Sequence, residues 1–118
     1  MEKKYKTLKA FYPYYLTEHS DPTCRVLHYI GTSLVILVLI WAIAQPIWWK
    51  FVLLPLVGYS FAWIGHFKFE KNKPATFIYP LYSLASDFIM LYHFLIGKID
   101  EKLAEAKMII AQENKNEQ

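Results

Sequence analysis

The chain has 118 residues, of which 55% are hydrophobic and 19% charged, a length that suits one domain and leaves no room for a soluble catalytic module beside a membrane anchor. The charges fall in clusters with long apolar runs between them, which suits lipid better than water. The formal net charge of +3 is small and the lysines sit at the ends of apolar runs, which argues against nucleic acid as a partner and for lipid headgroups.

Residues 1–25 open with the basic string MEKKYKTLKA and continue into the aromatic, proline-containing Phe11 to Leu16. An apolar signal core with a small-residue cleavage site is not seen there, so this reads as a cytoplasmic or interfacial N-terminal segment. Cys24 is the single cysteine, which rules out an internal disulfide and leaves no cysteine-based zinc site in view. Beside Arg25 it offers an acylation site at the headgroup level, with an unmodified thiol as the plainer reading. Asp21-Pro22 is a helix-opening pair, with Asp21 as N-cap and Pro22 as first helical residue.

The 24 residues between Arg25 and Lys50 carry no formal charge, and about 20 helical residues cross a hydrocarbon core. The first span is placed at 26–45, ended by Gln45-Pro46, with Trp48 and Trp49 suited to the interface. The second, 51–67, is 17 residues long and is extended by Lys50 and Lys68 reaching outward. Its Pro55 and Gly58 are tolerated where neighbours satisfy the freed backbone. The third run, 75–97, contains Asp87, whose burial at mid-bilayer costs about 2.5–3.5 kcal/mol, so this carboxylate must face protein or water. Residues 98–118 alternate as an amphipathic surface helix that frays into a polar tail.

The fold class is thus an all-α integral membrane protein of three to four hydrophobic helical segments plus a C-terminal amphipathic helix. Five basic residues precede the first span, one lies in the turn before the second, three lie in the loop after it and four follow Gly97. The N-terminus and second loop are therefore cytoplasmic. A third segment that folds back as a hairpin near Tyr79-Pro80 puts twelve of these residues inside and one outside, whereas a straight crossing gives eight and five. The hairpin is favoured. The composition fits a bacterial inner membrane or the endoplasmic reticulum equally.

His19 and His28 bracket the entry to the first span and His66 lies at the exit of the second, so all three fall at the cytoplasmic edge. His66 and Glu70 share a face if the helix continues past Phe67. Imidazoles with one carboxylate suit iron(II), zinc or manganese, and two histidines plus a carboxylate form the facial triad of non-haem iron oxygenases. Against this stands the plainer reading of interfacial histidines and of Glu70 as a carboxylate balancing Lys68, Lys71 and Lys73. Tyr82, Ser86 and His93 share a helical stripe with Asp87 beside it, and Ser83 and Ser86 are expected to hydrogen-bond between helices.

The strings His19-Ser-Asp-Pro-Thr-Cys-Arg-Val-Leu-His28, followed by Tyr-Ile-Gly31, and Gly65-His66-Phe-Lys-Phe-Glu70-Lys-Asn-Lys-Pro74-Ala75 resemble the domain-of-unknown-function 962 family of membrane proteins, similar to 2-hydroxy-fatty-acid dioxygenases. The resemblance implies an iron(II)-dependent enzyme that takes a 2-hydroxy fatty acid and oxygen and shortens the acyl chain by one carbon. By motif position it implies His19, His28 and His66 as iron ligands and Glu70 as the catalytic acidic residue. Arg25 and Lys73 are candidate holders of the substrate carboxylate. The chain departs from the family pattern at Cys24, where an asparagine is expected, at Thr32-Ser33, and over 80–98, which marks a shorter branch. The alternative is a non-catalytic membrane protein of the same fold. A proton or metal carrier built on Asp87 and His93 ranks last, for want of a polar path across the bilayer.

Overall fold

The computed structural model describes residues 4–116, and its regular structure there is helical throughout, with no strand among the described residues. Five α-helices follow in order: α1 (Leu8–Thr17), α2 (Pro22–Ala44), α3 (Trp48–Ile64), α4 (Pro80–Leu95) and α5 (Ile99–Asn116). The chain divides into two compact units, one of Asp21–Lys73 and the other of the residues before and after it.

In the Asp21–Lys73 unit, α2 begins at a capped end. The Asp21 carboxylate accepts the backbone N–H groups of Thr23 at 2.8 Å and Cys24 at 3.1 Å, and Pro22, lacking an N–H, takes the first helical position. Both follow from the sequence, but the cap starts the helix four residues before the expected 26. After the Gln45-Pro46-Ile47 turn, α3 runs on without a break into a π-helical turn, Gly65–Glu70. Pro22–Ala44 and Trp48–Glu70, each of 23 residues, are long and apolar enough to cross a membrane. Their surfaces expose Leu37, Ile40, Ile43, Val52, Leu56, Trp63 and Phe67, as helices that pass through lipid would.

The two helices approach closely at glycine. A Cβ on Gly31 would stand 3.0 Å from that of Phe61, so this small residue lets the backbones draw together. Lys50, expected to reach outward, is instead 2% exposed. Its ammonium donates to the Gln45 carbonyl at 2.8 Å and lies 4.1 Å from the centre of the Trp41 ring, which supplies the last carbonyls of α2 with a donor.

In the other unit α1, α4 and α5 pack around Phe11, Tyr15, Leu16, Met90, Leu103 and Ala106, all buried. Helix α1 falls in the stretch expected only as a cytoplasmic or interfacial N-terminal segment. Its signals are a Thr7 cap accepting from Ala10 N–H at 3.1 Å and the inward spacing of Phe11 and Tyr15; Pro13, inside the helix, argued against it. The third hydrophobic run is divided. A short 3₁₀ turn, Ala75–Phe77, precedes α4, and Pro80 sits at its first turn. With 16 residues, α4 is about 24 Å long, short of the roughly 30 Å hydrocarbon core. Gly97, at φ +73°, turns the chain into α5, which stays helical to Asn116 where a fraying tail was expected. The Tyr79 hydroxyl accepts the N–H groups of Lys4 at 2.7 Å and Tyr5 at 3.1 Å, and Tyr5 donates to Glu113.

Candidate metal centre

The first turns of α2 and the π-helical turn carry the chemistry-bearing residues of the Asp21–Lys73 unit. Cys24 and His28 are four apart on α2 and so share a face, and His66 comes from the π-helical turn. The Cys24 sulfur and one imidazole nitrogen from each of His28 and His66 lie within 4.8 Å of one another, and all three residues are buried. The imidazoles stand edge to face, with centroids 5.0 Å apart and planes at 85°.

Each ring is oriented by an oxygen acceptor. His28 Nδ1 lies 2.9 Å from the Cys24 carbonyl oxygen; a carbonyl only accepts, so Nδ1 carries the hydrogen and Nε2 the lone pair. His66 Nδ1 lies 2.8 Å from Asn72 Oδ1, which assigns it the same tautomer. An imidazole held through one N–H by an oxygen, with the other nitrogen basic, is the arrangement that metal-binding histidines adopt.

His66 is gripped at both ends. Lys71 turns left-handed at φ 58° and directs its N–H to the His66 carbonyl, and Asn72 N–H reaches the same carbonyl at 3.0 Å while its side chain holds the ring. Five residues per hydrogen-bonded turn widen the helix here, a departure that occurs often at functional sites. Glu70, four residues after His66 as the sequence suggested, directs Oε1 at the backbone N–H of Asp21. Its carboxylate therefore ties the end of the π-helical turn to the cap of α2. Arg25 is half-buried on α2 and Lys73 is exposed.

His19 lies in the α1 unit and is fully buried. Its Nδ1 stands 2.6 Å from the Tyr15 carbonyl, which fixes the same tautomer as in the other two histidines, and its ring stacks on Tyr15 at 4.1 Å. In the same unit the Tyr15 hydroxyl donates to Asp87, so this carboxyl faces protein as its cost of burial requires. Burial pushes Asp87 up to about 7, against the lowering effect of the Tyr15 hydrogen bond. Tyr12 hydroxyl and His93 Nδ1 are 2.7 Å apart, and Tyr82 donates to the Lys6 carbonyl. The expected polar stripe of α4 thus serves its packing on the N-terminal segment. Ser83 and Ser86 make no such bond: their buried hydroxyls have no hydrogen-bond partner among the described residues, contrary to expectation.

Two residues at this centre escaped the sequence reading. Cys24 was set aside because a lone cysteine builds no cysteine-pair site, although its spacing to His28 on a helix was visible. Asn72 gave no signal, because its reach back to His66 depends on the left-handed turn at Lys71, a conformation unusual for lysine.

The donor set fits a divalent transition metal. Imidazole nitrogens, with sulfur beside them, suit iron, zinc or cobalt, and burial excludes the water that would otherwise compete. Among known families, the model described as 2-hydroxy-palmitic acid dioxygenase Mpo1-like matches residues 5–99. Neither a curated protein nor a solved structure matches the chain.

Proposed function

The chain belongs to the 2-hydroxy-palmitic acid dioxygenase Mpo1-like family, and from that premise we propose that it is a membrane-embedded, iron(II)-dependent dioxygenase of 2-hydroxy fatty acids that shortens the acyl chain by one carbon. The observation that carries this reading is the buried pair His28 and His66, each with Nδ1 held by an oxygen and Nε2 left as the basic nitrogen. His28 and His66 hold the metal, and the family resemblance alone adds His19, by its place in the first motif. Bound iron would supply activation of oxygen and chelation of the substrate's carboxylate and 2-hydroxyl.

The protein's own part is to bind, orient and exclude water. Pro22–Ala44 and Trp48–Glu70 cross the bilayer, and the acyl chain stays in lipid beside them while its polar end reaches the edge where His28 and His66 sit. Arg25 and Lys73 hold the carboxylate there. Glu70, through Asp21, keeps the two ligand-bearing segments in register, beside the catalytic role that the family resemblance gives it. With α4 too short to cross, N-terminus, second loop and tail share the cytoplasmic side, and twelve of the thirteen basic residues lie there. The thirteenth is Lys50, folded under Trp41.

The test is metal content. Protein purified anaerobically in mild detergent is expected to hold iron near one per chain, to lose it in His28→Ala and His66→Ala, and to consume oxygen with 2-hydroxypalmitate. Absence of metal after iron(II) reconstitution would overturn the reading and leave a non-catalytic membrane protein of the same family.

A further inference from the structure

We propose that Cys24 is itself a ligand of the metal, so that this chain completes its centre with a sulfur where the family resemblance leads one to expect an asparagine; the proposal rests on the reading of His28 and His66 as ligands. Cys24 is fully buried, and its sulfur belongs to the same close group as the nitrogens of the two histidines. In a tetrahedral site a metal–sulfur bond of about 2.3 Å and metal–nitrogen bonds of about 2.0–2.1 Å put the donors roughly 3.5 Å apart. The sulfur stands 3.7 Å from His28 Nδ1, the nitrogen held by the Cys24 carbonyl, which puts it against the ring that carries the ligand nitrogen, and one donor atom from each residue lies within 4.8 Å of the others. Small side-chain rotations therefore bring the donors onto one ion.

A second observation concerns the space around the sulfur. A Cβ on residue 65 would stand 2.9 Å from Cys24 Sγ. The glycine immediately before His66 thus leaves room for a sulfur atom at the level of the imidazoles. The Cys24 backbone is also held, its N–H by Asp21 and its carbonyl oxygen by His28, so the side chain leaves the helix from a fixed base. The N-terminal turn of α2 favours negative charge, and the thiolate is the form that binds a metal. On binding, the S–H bond breaks, the proton leaves to solvent, and the sulfur electron pair forms the bond to the metal, whose oxidation state is unchanged.

The consequence is selectivity. A thiolate among imidazoles is a softer set than nitrogen and oxygen alone and retains zinc and cobalt more firmly. Cobalt(II) is therefore the probe. The full chain, stripped of metal in detergent, is titrated with cobalt(II) and read by absorption, and the zinc-loaded protein is examined by X-ray absorption spectroscopy. The expected result is a near-ultraviolet thiolate-to-cobalt charge-transfer band beside the visible d–d bands, and a sulfur shell about 2.3 Å from zinc. In Cys24→Ala the charge-transfer band and the sulfur shell disappear and cobalt affinity falls at least tenfold, with helix content by circular dichroism as in the wild type. Visible d–d bands without charge transfer, and a nitrogen–oxygen shell alone, would overturn the role of Cys24 and leave the histidine centre standing. No cobalt bands in the wild type would overturn both. Should the alanine variant fail to fold, the wild-type spectra decide the matter unaided.

Discussion

Replacing Gly65 by alanine tests the geometry of the centre at its narrowest point. The added Cβ would meet Cys24 Sγ at 2.9 Å, the Cys24 Cα at 3.3 Å and the Cys24 carbonyl oxygen at 3.4 Å. The sulfur can turn aside, but Cα and the carbonyl move only with the first turn of α2. Relaxed carbon contacts lie near 3.5–4.0 Å, so α2 must retreat by roughly 0.5 Å. Overpacking of this kind costs about 1–3 kcal/mol, and the better helix propensity of alanine returns up to about 1 kcal/mol. A net loss of about 1 kcal/mol in stability is expected, modest because the two effects oppose each other.

Metal binding should suffer more than stability, because the same Cys24 carbonyl orients His28. Displacing an outer partner of a ligating histidine lowers metal affinity by about 10–100-fold. Thermal unfolding followed by circular dichroism in detergent gives the first quantity, and titration with cobalt(II) the second. The double variant Cys24→Ala with Gly65→Ala separates crowding from propensity. Removing the sulfur relieves the tightest contact, so the pair should show a favourable coupling of about 0.5–1 kcal/mol. A Gly65→Ala protein with wild-type affinity, or a double variant whose stability changes merely add, would refute the packing argument.

Two further outcomes follow from single side chains. Asp87 is ordinarily ionised above about 4, but burial holds it protonated in the fold up to about 7. The folded state therefore binds more protons than the unfolded one between these values, and stability should fall as pH rises from 4 to 7, then level off. The full shift corresponds to about 4 kcal/mol, and about 2 kcal/mol once its partial contact with solvent is allowed for; Asp87→Asn should flatten this slope in urea titrations at a series of pH values, and an unchanged slope would remove Asp87 as its source. For Asn72, the alanine variant should weaken iron(II) binding about 10–100-fold, whereas Asn72→Asp, which keeps an acceptor for His66 Nδ1, should retain most of it. Equal affinity in the two variants would show that Asn72 does not orient the ring.

What could be read from the chain beforehand was whatever depends on local chemistry or on charge. The Asp21-Pro22 cap, the two long apolar helices and the amphipathic α5 each announce themselves within a dozen residues. The helical continuation past Phe67 was legible as a condition, and the structure meets it with a π-helical turn. Features set by partners distant in sequence were not legible. Helix α1 depends on Phe11 and Tyr15 finding cover from α4 and α5, which outweighs the discouragement of Pro13. Lys50 looks like any boundary lysine until Trp41 and the Gln45 carbonyl converge on it. Asn72 acquires its role only through the left-handed Lys71. The histidines were visible as candidates, but the tautomer that makes each a ligand comes from acceptors the sequence does not rank.

The arms of the two-helix unit explain why histidines 38 positions apart meet. His28 precedes the end of α2, Ala44, by 16 residues, and His66 follows the start of α3, Trp48, by 18. At 1.5 Å per residue these arms measure about 24 and 27 Å, so antiparallel helices joined by the Gln45–Ile47 turn bring the two rings to nearly one level. The difference of about two residues is taken up where the helix widens after Ile64. The whole helices, Pro22–Ala44 and Trp48–Glu70, are 23 residues each, about 35 Å, enough to pass the roughly 30 Å hydrocarbon core. Under the proposed function, a hairpin that turns at one face of the bilayer, under Trp48 and Trp49, would set its histidines near the other. A fatty acid anchored in that leaflet, the substrate proposed above, would have its carboxylate at the same depth. Arms of nearly equal length thus assemble the donors, and under the proposed function they also place them where the polar end of a lipid substrate would reach.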